Sequence, residues 1–375
     1  MDAGLAQSGF FGNFLQLGWQ DALMIALGLA LIYLAIVKEY EPVLLLPIGF
    51  GCVLANLGMA ATPDGEGFLS VLYRAGIESE LFPLLIFIGV GGMIDFSPLL
   101  SQPYLALLGA AGQFGIYGTL ILATALGFSL QEAASIGVIG AIDGPTAIFV
   151  AGKLAPHMLA PIAVAAYSYM SLIPIIQPPV MKLLTTRKER LIRMDYAPRT
   201  ISKRALIIFP IFVTIIISII APDAAPLIAA LMLGNLLKES GVVDRLNQSA
   251  QNEIINVATL FLGLTIGATM TAESFLQLDT LLILVLGLFA FVLDTIAGLL
   301  FGKLMAFITG GKINPLIGAC GISAFPMAGR LSAKMAQEED FENFILMHAM
   351  GSNTAGQLGS VIAGGLLLSL VLNAI

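Results

Sequence analysis

The run IGAIDGPTAIFVAG holds a single carboxylate, Asp143, with no other charge in the ten residues before it or the nine after it. An ionised acid at bilayer depth costs about 2.5–3.5 kcal/mol even on the lenient insertion scale, so a cation, a proton or a basic partner must offset it. Gly144 and Pro145 follow at once. Proline has no N–H to donate and suits the first turn of a helix. The triplet therefore predicts a helix break, with Asp143 beside freed backbone carbonyls. A carboxylate, carbonyls and the Thr146 hydroxyl are hard oxygen donors, the set a Na+ site needs. The structural alternative is a protonated or N-capping Asp143, but acids within membrane segments more often carry function.

A second set lies in KINPLIGACGISAFPMAGRL. Asn314 and Ser323 offer neutral oxygens, and Gly318 and Gly321 allow a close or unwound backbone. Arg330 is a permanent cation able to hold a carboxylate through two parallel hydrogen bonds; its plainer reading is an interfacial side chain reaching for the membrane surface. Lys153 has the same two readings. Tyr169 brings either a phenolic proton or an interfacial anchor. Gln177, Pro178 and Pro179 predict another break. Asp294 is a second acid in an apolar segment, neutralised by Lys303 or by another helix. Asn353 sits among small residues that also suit tight helix packing.

The elements that position these residues follow from composition. Of 375 residues, 58% are hydrophobic and 11% charged, against about 25% charged in a soluble domain. That excludes a conventional soluble enzyme, a nucleic-acid binder and a disordered chain, and leaves an all-α polytopic membrane protein. Apolar segments lie at about 20–37, 43–58, 81–98, 104–127, 132–155 and 157–182, then at about 205–221, 224–238, 254–276, 279–307, 312–334 and 343–372. The division is a first membrane repeat at 1–182, a basic cytoplasmic linker at 183–204 and a second repeat at 205–375. Eight of the 17 Lys and Arg fall between Lys182 and Arg204, which places the linker inside. Neither end carries Lys or Arg, so both termini are expected outside. The N-terminus shows no basic region or cleavage site of a signal peptide. Cys52 and Cys320 read as small core residues.

The halves match each other. Gly144, Ala147, Ala151, Gly152 and Leu154 align with Gly321, Ala324, Ala328, Gly329 and Leu331, Thr146 faces Ser323, and Lys153 faces Arg330. Pro47, Leu54, Asn56 and Leu57 pair with Pro226, Leu233, Asn235 and Leu236 at nearly the same separation, and Gly91 pairs with Gly267. With both termini outside and the linker inside, each half crosses an odd number of times, so the repeats are inverted. Inverted repeats with interrupted helices at matching positions mark a secondary-transporter site near the midplane. Here those segments are 132–155 and 312–334, each expected to be broken or re-entrant.

At IGAIDGPTAIFVAGKLAP and INPLIGACGISAFPMAGRLS, and also at KEYEPVLLLPIGFG and MHAMGSNTAGQLGS, the whole chain resembles the β subunit of the sodium-pumping, biotin-dependent decarboxylases. These act on oxaloacetate, methylmalonyl-CoA or glutaconyl-CoA. The resemblance implies a multi-pass translocase subunit of the bacterial inner membrane. It would decarboxylate carboxybiotin and export Na+ with consumption of a proton. It implies, too, a soluble carboxyltransferase α subunit, a small single-span γ-type subunit, a biotin carrier, a homotrimer and an elevator-type fold. By position, Asp143 and Asn314 correspond to Na+ ligands, Tyr169 and Ser323 to a second Na+ or proton position, Arg330 to the carboxybiotin contact, and Gly318 to a functional glycine. No Met-Lys-Met biotin acceptor is present, only Ser332-Ala333-Lys334-Met335, so biotin must arrive on another chain. The alternatives are a stand-alone Na+-coupled carboxylate transporter, and a structural scaffold that explains neither Asp143 nor the paired breaks.

Overall fold

The computed structural model describes residues 18–39, 41–61, 65–195 and 200–374. Arg199 of the linker and the N-terminal residues expected outside lie beyond them. The longer helices of the first half are α1 (Trp19–Val37), α2 (Pro42–Leu54), α3 (Leu81–Met93), α4 (Phe114–Ala125), α5 (Gly144–Leu154), α6 (Leu159–Ser171) and α7 (Ile173–Leu184). Those of the second are α8 (Lys203–Ile220), α9 (Ala225–Ser240), α10 (Ile255–Ala268), α11 (Leu278–Ile308), α12 (Met327–Glu339) and α13 (Leu346–Ala374). No strand occurs among the described residues. Among the described residues, six helices are long and apolar enough to cross a membrane, or up to eight if each of two bent pairs is one span.

Crossings between the halves are built on glycine. A side chain at Gly51 would strike the Leu264 carbonyl on α10, and one at Gly267 the Ile48 carbonyl on α2. Likewise Gly91 on α3 faces the Leu231 carbonyl of α9, and Gly234 faces the Ile88 carbonyl. Lipid tails are as apolar as leucine, so helices associate in a membrane through such close backbone packing. Two asparagines complete the exchange. Asn56 donates to the Met270 carbonyl at 2.8 Å, and Asn235, its aligned counterpart, donates to the Ile94 carbonyl at 3.1 Å. Each half thus caps a helix end of the other.

α11 forms the rail on which the interrupted segments lie. Gly287 abuts the Tyr169 ring and Ile139, Gly298 the Gly318 carbonyl, and Gly302 the backbone of Pro315. These residues, with Asp294, stand seven, four and four positions apart and so share one face. Segment 312–334 is not one helix. A 3-10 turn (Pro315–Cys320) gives way to non-helical chain before α12 begins. Segment 132–155 is also divided, by a 3-10 turn (Val138–Ala141) and the non-helical Ile142 and Asp143. The break expected at Gln177–Pro179 lies earlier, at Leu172. Pro174 occupies the first turn of α7, where no N–H is needed, while Pro178 and Pro179 sit within the helix.

The linker is stitched to the second half. Asn314 and Asn343 both donate to the Arg190 and Ile192 carbonyls, at 2.8–3.2 Å. Arg190 pairs with Glu339 at 2.7 Å and Arg193 with Asp340 at 2.6 Å. The hydrogen bond from Arg190 holds the Glu339 carboxyl below the usual carboxylate range, and Arg193 does the same for Asp340. Acids with lowered folded values stabilise at every pH above their unfolded value, near 4 (about 3.9–4.3), and lose that contribution as pH falls through the folded value. Protease cleavage of the linker is therefore expected to stay constant from about pH 8 to about pH 5. Arg190→Ala should raise cleavage at neutral pH, as limited proteolysis would measure.

Candidate functional site

Asp143 ends the first break. Ile142 before it adopts a left-handed backbone (φ 51, ψ 40), uncommon for a β-branched residue and typical of functional strain. Asp143 is extended, and α5 starts at Gly144 with Pro145 in its first turn. No side chain fits at Gly144, because the Tyr167 ring fills that space. The carboxylate is 6% exposed. Its Oδ2 accepts from Thr146 Oγ1 at 2.7 Å, Gln357 Nε2 at 3.1 Å and Ser360 Oγ at 3.3 Å. Oδ1 accepts none of these bonds. Beside it lies a cavity of about 310 Å³, walled by Glu41, Phe87, Asp143, Tyr167, Ser323 and Gln357 among others. Ser323 and Tyr167 bring buried hydroxyls to this cavity, with that of Ser323 beside the Asp143 carboxyl.

The second break is held by amides. Gln177 donates to the Ala319 carbonyl at 2.7 Å, Gln113 to the Gly321 carbonyl at 3.1 Å, and Asn353 to the Ile322 carbonyl at 2.8 Å. Unwound backbone within a membrane must find such partners. These three carbonyls are thus engaged by protein.

The structure brings Asp143 and Ser323 to one cavity. Asn314 lies elsewhere: its Oδ1 caps the 3-10 turn through Leu316 N at 3.0 Å, and its Nδ2 serves the linker. Gly318 is the contact with α11. Tyr169 donates its hydroxyl to the Leu284 carbonyl of α11. Arg330 is exposed on α12 and makes no ion pair among the described residues. Lys153 pairs with Glu80 at 3.0 Å. Asp294 is fully buried; Gly115 N donates to its Oδ1 and its Oδ2 lacks a partner. Lys303 does not neutralise it, being bound to Glu189 at 3.3 Å and to the Leu184 carbonyl at 2.9 Å. Both cysteines are buried and free.

Sequence reasoning missed Gln357, Ser360, Tyr167 and Glu41. Gln357 and Ser360 had a legible signal. With Asn353 they recur at i, i+4 and i+7, a polar stripe on one face of an apolar helix.

Apolar helices, a helix broken at a buried carboxylate and a cavity beside it define a cation-handling membrane protein. Comparison with known proteins makes this specific. The chain belongs to the family of Na+-transporting oxaloacetate decarboxylase beta subunits, whose model matches residues 20–371. It is 53% identical over 361 residues to the methylmalonyl-CoA decarboxylase subunit beta of Veillonella parvula, with 96% of each chain covered. It is 51% identical over 359 residues to the glutaconyl-CoA decarboxylase subunit beta of Acidaminococcus fermentans, covering 96% of this chain and 95% of that one. To the oxaloacetate decarboxylase beta chain of Klebsiella pneumoniae it is 47% identical over 419 residues, with 96% of each chain covered.

Proposed function

We propose that this chain is the inner-membrane subunit of a Na+-pumping, biotin-dependent decarboxylase. It takes carboxybiotin from a partner, releases CO2 and exports Na+ as a proton is consumed. The observation that carries the reading is Asp143, a buried carboxylate at a helix break that shares one cavity with the buried hydroxyls of Ser323 and Tyr167. Family membership favours it over the stand-alone carboxylate transporter.

Na+ binds at Asp143 and Ser323. Asn314 and Tyr169, Na+ ligands by resemblance, would first have to exchange their present bonds to protein carbonyls. Gly318 lets the second break slide along α11. Arg330, exposed and without an ion pair among the described residues, receives the carboxylate of carboxybiotin. The C–N bond breaks, its electrons stay on the ureido nitrogen and CO2 leaves. That nitrogen takes up a proton relayed from Asp143 or Tyr169. Na+ arriving where Asp143 lost its proton keeps the local charge balanced, which links the chemistry to transport.

The halves act as inverted repeats, in an elevator-like arrangement, with the linker on the cytoplasmic side. The reciprocal Asn56 and Asn235 bonds and the two interrupted segments support this. The working unit is a trimer of this chain with a carboxyltransferase α subunit, a single-span γ-type subunit and a biotin carrier.

Arg330→Lys tests the carboxybiotin contact, since it keeps the charge and loses the two-pronged donor. Turnover of free carboxybiotin should fall by about 10-fold or more, the size of a lost charge-assisted hydrogen bond, while Na+ affinity holds. A collapse of Na+ affinity with normal turnover at saturating Na+ would assign Arg330 a different role.

A further inference from the structure

Glu41 immediately precedes α2 in a left-handed conformation (φ 38, ψ 59). Two effects oppose that geometry. L-residues with side chains are disfavoured there, and a residue before proline, here Pro42, is biased to extended backbone. Backbone strain of this kind persists where the surroundings impose it and clusters at functional sites. The strained residue lines the same cavity as Asp143. Its carboxylate is half-buried and has neither a hydrogen bond nor an ion pair among the described residues. Burial holds that carboxyl above its usual range, with nothing to offset it. Between the two acids the walls are largely apolar, with Leu44, Ile86, Phe87 and Val90. The one phenol there, Tyr167, is 2% exposed, and its hydroxyl has no partner.

We propose that Glu41 is a second carboxylate of the Na+ path, which receives the ion at one side of the cavity and passes it along the Tyr167 hydroxyl to Asp143. This rests on the reading of Asp143 as the Na+ site. An apolar passage strips water from a cation, and a fixed negative charge at its entry raises the local cation concentration. The left-handed backbone aims the carboxylate, and its lack of a partner among the described residues leaves it free to engage and release the ion.

The test uses the assembled decarboxylase complex and measures decarboxylation rate against Na+ concentration for Glu41→Gln, Glu41→Gly and Asp143→Asn. Glu41→Gln keeps the size and the strain and removes the charge; Glu41→Gly removes the charge and relieves the strain. Both should raise the Na+ concentration for half-maximal rate by about 3- to 10-fold, with the rate at saturating Na+ retained. Asp143→Asn should lower the rate at every Na+ concentration. An unchanged Na+ requirement in Glu41→Gln, with Asp143→Asn inactive, overturns the role of Glu41 and leaves Asp143 standing, even if Glu41→Gly is altered. A normal Na+ response in Asp143→Asn overturns the site reading itself.

Discussion

Asp143→Asn is expected to abolish Na+-dependent decarboxylation while leaving the protein folded. Asparagine matches aspartate in size, and its side-chain oxygen can still accept from Thr146, Gln357 and Ser360, the three donors that meet Oδ2. The charge alone is lost. A Na+ ion in the cavity would then face only neutral oxygens while still stripped of water. Removing one partner of a buried ion pair costs about 3–5 kcal/mol, which corresponds to a Na+ affinity lower by roughly 10²- to 4 × 10³-fold. Proton exchange at this position is lost as well, so raising Na+ should not restore the rate. Thermal unfolding and Na+ titration of the purified complex separate the two effects. A destabilised variant with normal Na+ dependence would make Asp143 a structural cap.

Gly318→Ala should be severely disruptive although it adds only a methyl group. That methyl would point into the Gly298 carbonyl and toward Gly302 Cα, both backbone of α11. No side chain can rotate away, so the rail and the second break must separate. Overpacking of this kind costs about 1–3 kcal/mol and sometimes more. Here it also displaces Ala319 and its bond to Gln177. Gly152→Ala is the matched control. It lies within α5 with open space at the position of the added carbon, and helix propensity predicts a gain of about 0.5–1 kcal/mol. Unfolding temperatures in detergent should move in opposite directions for the two variants, with decarboxylation impaired only in Gly318→Ala. Equal behaviour would mean that the α11 contact does not constrain the second break.

Asp143 was legible because charge is scarce: one carboxylate in a long apolar run needs a reason. The break was legible from Gly144 and Pro145. The choice between Tyr167 and Tyr169 was not. Residues two apart on a helix point about 200° apart, and an apolar helix such as α6 gives little periodicity to set its phase. Tyr167 faces the cavity, whereas Tyr169 binds α11. Glu41 was hidden for a different reason. It stands beside Lys38 and Glu39, where an acid reads as an ordinary loop charge. Only the shared cavity distinguishes it, since Glu39 also has a left-handed backbone. Asn314 looked like an oxygen ligand by residue type, yet its amide is used by linker carbonyls that lie far away in sequence. Long-range hydrogen bonds of that kind leave no trace in local spacing.

The most direct test of Asp143 as the Na+ site is a high-resolution structure of the complex in Na+ compared with one in choline. Density for the ion is predicted against Asp143 Oδ1 with Ser323 as a further ligand, present in Na+ and absent in choline. A Na+ ion bound elsewhere, with the Asp143 carboxylate and its three donors the same in both, would contradict it.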